Sequence, residues 1–416
     1  MHHKLFLLFA ICVTPTVFLH AQQPNENTVR RVGIIGTTTS HVPAFTDILN
    51  KADNAEPLSR YKITAAFPGG MPDNPDSWDR LPTYLDNLKE RKIDIYPTIE
   101  AMLPNVDCVM ILSVDGRPHL EQARPVIEAG KPLFMDKPGA GSLADLLEIF
   151  RLANEKNVPI FTSSSLRFGD AIQKIKSDKD NQVVAADTFS PCVPNDNHPF
   201  FYWYGIHGIE MLFALMDSDC VSATTISSPY GDVITGLWND GRIGTFRGIR
   251  NGARGYGATV LLEKSIQKDV GYEGYAPLVK EICLFFDTGN APITQNDTIA
   301  VFAFMDAAEK SMNENGRTVT LNEVVEKAKS EKHVPARITI PKSFDGNRNT
   351  MLKCDDKDVE LAGLSQTLEN YRSGDLEVVV KVILHNEGNV PIENVRLVTD
   401  QLKNAYLALY VYSTGQ

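Results

Sequence analysis

Apolar residues along this chain recur with two periods, and the way those periods alternate predicts the fold class. Short apolar runs, continuous or alternating as in strands, fall at Arg31–Ile35, Tyr61–Phe67, Ile93–Tyr96, Val106–Leu112, Pro132–Met135 and Val158–Thr162. Between them apolar positions three and four apart predict helices. One runs to Leu49, then come Leu81–Arg91, Ile99–Leu103, a helix closing on Ala129-Gly130, and Leu143–Lys156. Gly130 supplies a left-handed cap for the fourth of these. Strand alternating with helix predicts an α/β region built on a parallel sheet.

Further along the pattern changes. Val183–Phe189, Val233–Trp238, Arg242–Arg247 and Ala258–Glu263 read as strands, with Asn239-Asp240-Gly241 a hairpin turn. Pro277–Thr288 and Thr298–Asn315 read as helices, the first ending at Gly289. Residues 334–416 form a linker and a small β-rich extension: Thr339-Ile340-Pro341 opens a polar stretch, and Leu376–Leu384 and Val395–Thr399 read as strands. The extension resembles a fragment of a β-sandwich adhesion module and is too short for a whole sandwich.

The first 21 residues form a separate element. His2, His3 and Lys4 precede an apolar core from Leu5 to Leu19, and Ala21 before Gln22-Gln23 is a cleavage point. This predicts a secretory signal peptide and an exported, periplasmic protein. No other stretch is apolar enough to span a bilayer. The 416 residues suggest two or three domains, and a net charge of −11 argues against nucleic acid or an anionic membrane as partner. Cys108, Cys192, Cys220, Cys283 and Cys354 are scattered without CxxC spacing, so no metal site is expected.

Chemistry concentrates past the carboxyl end of the Pro132–Met135 strand, where Asp136, Lys137 and Pro138 stand. Ligands of open α/β sheets bind at that edge. A lysine there can polarise a substrate hydroxyl and pass a proton once burial tunes its pKa. The first strand runs into Gly36-Thr37-Thr38-Thr39-Ser40-His41, a turn placed as a dinucleotide phosphate loop. Thr38 and His41 replace the second and third glycines of that fingerprint. Thr37, Thr38 and Ser40 offer hydroxyls to a phosphate or caps to the helix, and the residues leave that choice open. The second strand ends in Pro68-Gly69-Gly70 without the carboxylate that binds the ribose of NAD. Asp73 and Asp76 lie further on, in a Pro-rich insert reaching Arg80 that reads as a lid or an interface.

The run from Pro118-His119-Leu120-Glu121 through Ala129-Gly130-Lys131 to Asp136-Lys137-Pro138 resembles the Gfo/Idh/MocA oxidoreductases. Their E-K-P motif carries a catalytic lysine, and a histidine precedes the glycine by the spacing of His119 and Gly130. Ser165-Leu166-Arg167-Phe168 echoes the family's Asn-x-Arg-Phe, and the resemblance spans about residues 30–330. It implies a Rossmann-like doubly wound domain over 30–165. An α+β substrate and oligomerisation domain with an open, mostly antiparallel sheet follows over 166–333. The second of its closing helices is implied to pack back on the nucleotide domain.

The resemblance also implies roles. Lys137 is the catalytic lysine, and His207 matches the histidine of the family's D-x-x-x-H motif, although Trp203 replaces the aspartate. Gly36, Thr37, Thr38, Ser40, His41, Ser113, Asp115, His119, Asp136 and Lys137 are the expected cofactor-binding residues. Arg167, Trp203, Tyr204 and Arg247 are the expected substrate residues. Arg250, Arg254, Tyr256 and Glu273 sit in Gly-rich loops that suit either polar substrate groups or plain solvation. The implied activity is NAD(P)-dependent oxidation of a sugar, cyclitol or carbohydrate derivative by a homo-oligomer. An exported enzyme needs its NAD or NADP tightly bound, which makes a redox-neutral lyase, epimerase or glycosidase the alternative. His207-Gly208 loosely resembles the NAD-dependent glycosidases. A carbohydrate-binding protein that has lost the cofactor is the third reading.

Overall fold

The computed structural model describes residues 29–331 except 72–73 and 196–197, together with three short strands further on. The signal segment expected at 1–21 and the strand expected at 376–384 lie outside the described residues. In the N-terminal domain β1 (Arg30–Ile35), β2 (Tyr61–Phe67), β3 (Asp94–Ile95), β4 (Cys108–Ile111), β5 (Leu133–Asp136) and β6 (Ile160–Ser163) form one sheet. Their order is β3-β2-β1-β4-β5-β6 and every pairing is parallel. The residues of β4 and β5 are all buried, because helices cover both faces of a parallel sheet. Those helices are α1 (His41–Leu49), α2 (Pro75–Trp78), α3 (Leu81–Glu90), α4 (Ile99–Met102), α5 (His119–Glu128) and α6 (Leu143–Lys156). Gly130 adopts φ 67° after α5, as its capping role requires.

Register fixes the functional edge. Ile35 is level with Ile111, Ile111 with Met135, and Asp136 with Ser163. The residues that follow these strands therefore meet at one rim of the sheet.

After α7 (Asp170–Ser177) the second domain contains β7 (Val183–Pro191), α8 (Gly205–Met216), β8 (Cys220–Ser228), β9 (Gly231–Trp238), β10 (Ile243–Ile249), β11 (Gly257–Leu262) and β12 (Ile266–Gly271). It closes with α9 (Ala276–Thr288), α10 (Gln295–Asn313), β13 (Val319–Thr320) and α11 (Leu321–Ser330). The sheet order is β12-β11-β7-β10-β9-β8-β13, antiparallel except where β10 runs parallel to β7. Helix α8 is buried along its whole length. It lies so close to β10 that a Cβ on Gly208 would stand 2.5 Å from Phe246. The other face of the sheet carries exposed Phe189, Leu237 and Ile243.

Both closing helices pack back on the nucleotide domain. Helix α9 covers the nucleotide sheet by placing Leu278, Val279, Ile282, Phe285 and Phe286 in one core with Val32, Ile34, Phe134 and Phe161. The Tyr61 hydroxyl donates to Asp287 at 2.6 Å and fastens that helix. Helix α10 packs on α6 and β6 as expected, with Asn154 and Gln295 bonded side chain to side chain at 3.0 Å, and its apolar side also joins Ala223 and Ile234 of the second sheet in the other core. In the extension β14 (Met351–Cys354) pairs antiparallel with β15 (Lys357–Glu360) and β16 (Arg396–Val398).

Candidate active site

Lys137 leaves β5 at the functional rim, and its bond to Pro138 is cis. The residue is 6 % exposed, with Nζ 5.3 Å from the centre of the Tyr204 ring. No hydrogen bond or ion pair joins its ammonium to another described residue. Burial pushes its pKa below that of an ordinary lysine; the Asp136 charge opposes the shift and the Arg80 charge adds to it. A proton is thus more easily released here than from a surface lysine.

Opposite stands His207, in the first turn of α8. Its Nδ1 lies 2.8 Å from the Ser164 hydroxyl, which follows β6 and also accepts from Leu166 N. Burial drives its pKa well below the usual histidine value, reinforced by the charges of Lys137 and His41. The ring is therefore a neutral imidazole at physiological pH. One helical turn further on, Glu210 forms a buried pair with Arg167. Arg167 is thereby used to seat α8 on the segment after β6, and its expected substrate role is corrected to that fastening.

Aromatic rings complete the wall. His207 meets Tyr256 at 5.4 Å and Tyr204 at 6.0 Å; Tyr256 meets Tyr272 at 6.2 Å, Tyr272 meets Tyr275 at 5.7 Å, and Tyr275 meets His41 at 4.5 Å. His41 Nδ1 lies 2.5 Å from Asp136 Oδ2, which closes the circuit at Lys137. Burial alone would raise the Asp136 pKa, but His41 and Lys137 outweigh it and hold the carboxyl below the ordinary range. Tyr204 thus stands where the sequence places it. Tyr256 had been singled out only as a loop residue, and Tyr272 and Tyr275 not at all. They sit in Gly-rich loops with no periodicity to mark them.

The phosphate loop can be tested for fit against a dinucleotide. Gly36 has φ 82°, and a Cβ there would come within 2.0 Å of Ser113 Oγ, so only glycine lets β1 and β4 continue into this cradle. Ser40 is exposed, its hydroxyl makes no cap bond, and the first turn of α1 holds no acid. The Thr37 hydroxyl is buried and unpartnered. Uncommitted hydroxyls at an acid-free helix N-terminus are the donor set a diphosphate needs, and on this count the loop fits. Thr38 differs: its oxygen accepts from Val114 N at 3.2 Å and ties the loop to the end of β4. No carboxylate follows β2. The amide oxygen of Asn74, buried and unpartnered, is an acceptor in the insert that sequence reasoning missed.

Three other expected cofactor ligands hold the protein together. Asp115 is fully buried and receives Arg117 N at 3.0 Å, Arg117 Nε at 3.0 Å, Arg117 Nη2 at 2.7 Å and Asn74 Nδ2 at 3.1 Å. His198 Nε2 lies 3.2 Å from the same carboxylate. Its acceptor capacity is consumed, so it is corrected from cofactor ligand to clamp. Ser113 donates to Gln122 at 2.9 Å, and fully buried His119 places Nε2 3.0 Å from Ser113 O. Both brace the loop after β4 from beneath.

Two substrate expectations also change. Trp203 is 5 % exposed and packs on His198 at 4.6 Å, turned toward the clamp. Arg247 follows buried Phe246 on β10, and strand alternation puts it on the exposed sheet face. Of the remaining loop charges, Arg250 pairs with Asp232, and Glu273 caps α7 through Asp170 N and Ala171 N. The four described cysteines are free and buried, and no metal-binding cluster occurs among the described residues.

Known proteins share this fold. Residues 30–164 match the family model described as "Oxidoreductase family, NAD-binding Rossmann fold", that of Gfo/Idh/MocA. An uncharacterized oxidoreductase of Escherichia coli (strain K12), YhhX, is 27% identical over 126 residues, which cover 27% of this chain and 36% of that protein. The match therefore spans about a third of the curated relative. Among solved structures, a probable dehydrogenase from Thermotoga maritima is similar in fold (TM-score 0.57, 18% identity, 71% of this chain and 99% of that one). So is scyllo-inositol dehydrogenase from Lactobacillus casei with bound NAD(H) and scyllo-inositol (TM-score 0.55, 16% identity, 71% and 100% covered). An oxidoreductase from Agrobacterium radiobacter in complex with NAD+, L-tartaric acid and magnesium is similar to the same degree (TM-score 0.55, 15% identity, 71% and 100% covered).

Proposed function

We propose that the protein is an NAD(P)-dependent oxidoreductase of a sugar, cyclitol or related carbohydrate, a reading supported by the match of residues 30–164 to the NAD-binding Rossmann domain of the Gfo/Idh/MocA oxidoreductases. The observation that carries this reading is the buried ammonium of Lys137, without an ion pair among the described residues and set against the same Tyr204 ring as His207. A carbinol oxygen seated between them donates its proton to the imidazole while the ammonium stabilises the developing alkoxide. When bound, the nicotinamide ring supplies the hydride acceptor. Ser164 fixes the His207 ring, and the tyrosine wall excludes water and offers flat faces to a sugar ring.

A specific observation favours retention of the cofactor. Thr37 and Thr38 are fully buried, and the segment after β2 presses on them, with Gly70 so close that a Cβ would stand 2.9 Å from Thr38. A covered phosphate loop suits redox-neutral chemistry, in which a hydroxyl is oxidised, the neighbouring bond rearranges, and the hydride returns. It also suits an exported protein, as residues 1–21 suggest, since free nicotinamide is not recycled there. Apolar Phe189, Leu237 and Ile243 on the open sheet face support assembly into a homo-oligomer.

The deciding measurement is absorbance and mass spectrometry of the purified, denatured protein. Nicotinamide dinucleotide near one per chain supports retention. If none is released, titration with NAD and NADP follows. Failure to bind either at millimolar concentration overturns the enzyme reading in favour of a carbohydrate-binding protein.

A further inference from the structure

Two imidazoles, not one, face the space beside Lys137. His207 is anchored through Nδ1 by the Ser164 hydroxyl at 2.8 Å. His41 Nδ1 lies 2.5 Å from Asp136 Oδ2, an ion-pair contact without hydrogen-bond alignment, and its ring is stacked on Phe45 and met edge-on by Tyr275. Neither Nε2 has a partner among the described residues, and neither is among the buried unpaired atoms. The two rings stand at the ends of one aromatic wall, linked from His207 through Tyr256, Tyr272 and Tyr275 to His41. Carbinol oxidation needs one acid–base group. An imidazole backed by a buried carboxylate is the stronger kind, because the carboxylate fixes the tautomer and stabilises the imidazolium.

We propose that His41, positioned by Asp136, is a second acid–base group of this site and exchanges the carbon-bound proton next to a substrate carbonyl. The inference rests on the oxidoreductase reading for the origin of that carbonyl. The step is balanced. The α C–H bond breaks and its proton goes to His41 Nε2. The electron pair forms the C=C bond of an enolate, whose oxygen carries the negative charge toward the Lys137 ammonium. Collapse of the enolate takes a proton back from His41 and restores the ketone. His41 thereby gives the redox-neutral alternative its proton-moving residue, since acidifying and removing this hydrogen is the common step of epimerisation and elimination.

The test supplies the ketone directly and needs no nicotinamide. The purified protein is incubated in deuterium oxide with an inosose or a 3-keto glucoside, and loss of the α-proton signal is followed by NMR. Wild type should exchange well above the buffer rate. His41→Asn should slow exchange at least 100-fold and recover in part with added imidazole, which a merely structural residue would not do. Asp136→Asn should lower kcat about tenfold with KM within about twofold. Melting curves check each variant, and His41→Gln replaces His41→Asn if the latter does not fold. Wild-type rates in His41→Asn overturn the proposal. So does a wild type that reduces these ketones with NADH or NADPH yet exchanges no deuterium, a result that leaves the oxidoreductase reading standing. Exchange without reduction by either cofactor does the reverse: His41 keeps its role and the oxidoreductase reading falls. Neither exchange nor reduction overturns both.

Discussion

Two buried aspartates follow neighbouring parallel strands, and their surroundings divide the labour of the cleft. Asp115, after β4, accepts hydrogen bonds on both oxygens from Arg117 and Asn74, of its own loop and the insert, and His198 of the second domain stands 3.2 Å away. Asp136, at the end of β5, has His41 on one oxygen and an unpartnered second oxygen beside the unpaired ammonium of Lys137. Both carboxyls are held below the ordinary range despite their burial. The first carboxylate is bonded on both oxygens and therefore rigidly held. The second leaves polar groups unfinished in a low-dielectric site, at a cost only a ligand or transition state removes. Incomplete bonding marks the chemistry better than burial or charge does.

The largest effect should come from breaking the incomplete side. Lys137→Ala should lower turnover by about 10³-fold, within the range for a positioned proton-transfer group. It should leave the melting temperature unchanged or slightly raised, because a buried unpaired ammonium is removed. Steady-state kinetics and a thermal melt on one preparation decide it. Lys137→Arg should fail to rescue, since a guanidinium neither fits the slot nor releases a proton. The pH profile carries the sign. With the Lys137 pKa below the ordinary 10.5, the alkaline loss of activity should set in at lower pH than a surface lysine would give.

Breaking the complete side should invert that pattern. Asp115→Ala strands Arg117 and His198 in a buried site, which costs about 3–5 kcal/mol. The melting temperature should fall, and protease cleavage should appear in the insert and in the loop before α8. The Asp115 pKa is depressed, so its contribution is complete above the ordinary carboxyl range and is lost only as pH falls into stronger acid. A variant that melts like wild type but loses turnover would place Asp115 among the reacting groups and dissolve the comparison.

The incomplete side was legible in the sequence and the complete side was not, for a physical reason. Lys137 sits between a strand and a helix whose patterns are local, and α6 falls at Leu143–Lys156 as its periodicity dictates. Asp115 was visible, but its partners Asn74 and His198 lie 41 and 83 residues away by number, and no periodicity records such a bond. The second sheet shows the same limit. β8, CVSATTISS, is rich in Ser and Thr and exposed over its last three residues. Its apolar signal is therefore weak, and pairing with β9 defines it. Arg247 and Trp203 had the right residue types for a sugar site, but strand alternation and the His198 contact sent them elsewhere.

A third buried acid sharpens the comparison with the smallest effect. Asp306, on α10, receives the Tyr202 hydroxyl at 2.7 Å and has no cation paired to it among the described residues. Burial pushes its pKa up to about 6, with Glu309 adding to the rise. The unfolded chain gives up this proton near 3.8. Between those two values the unfolded state ionises while the folded state does not, so stability falls as pH rises through the window. At pH 7 the folded protein carries the full deficit. Asp306→Asn keeps an amide oxygen to accept from Tyr202 and removes the ionisation. It should therefore stabilise by about 1–2 kcal/mol at pH 7.5, after discounting for partial exposure, and by almost nothing near pH 4. Melting temperatures of both proteins across that range are sufficient. An equal gain at every pH would mean that Asp306 never titrates in the window, and that a buried acid without a cation behaves here like one that has several.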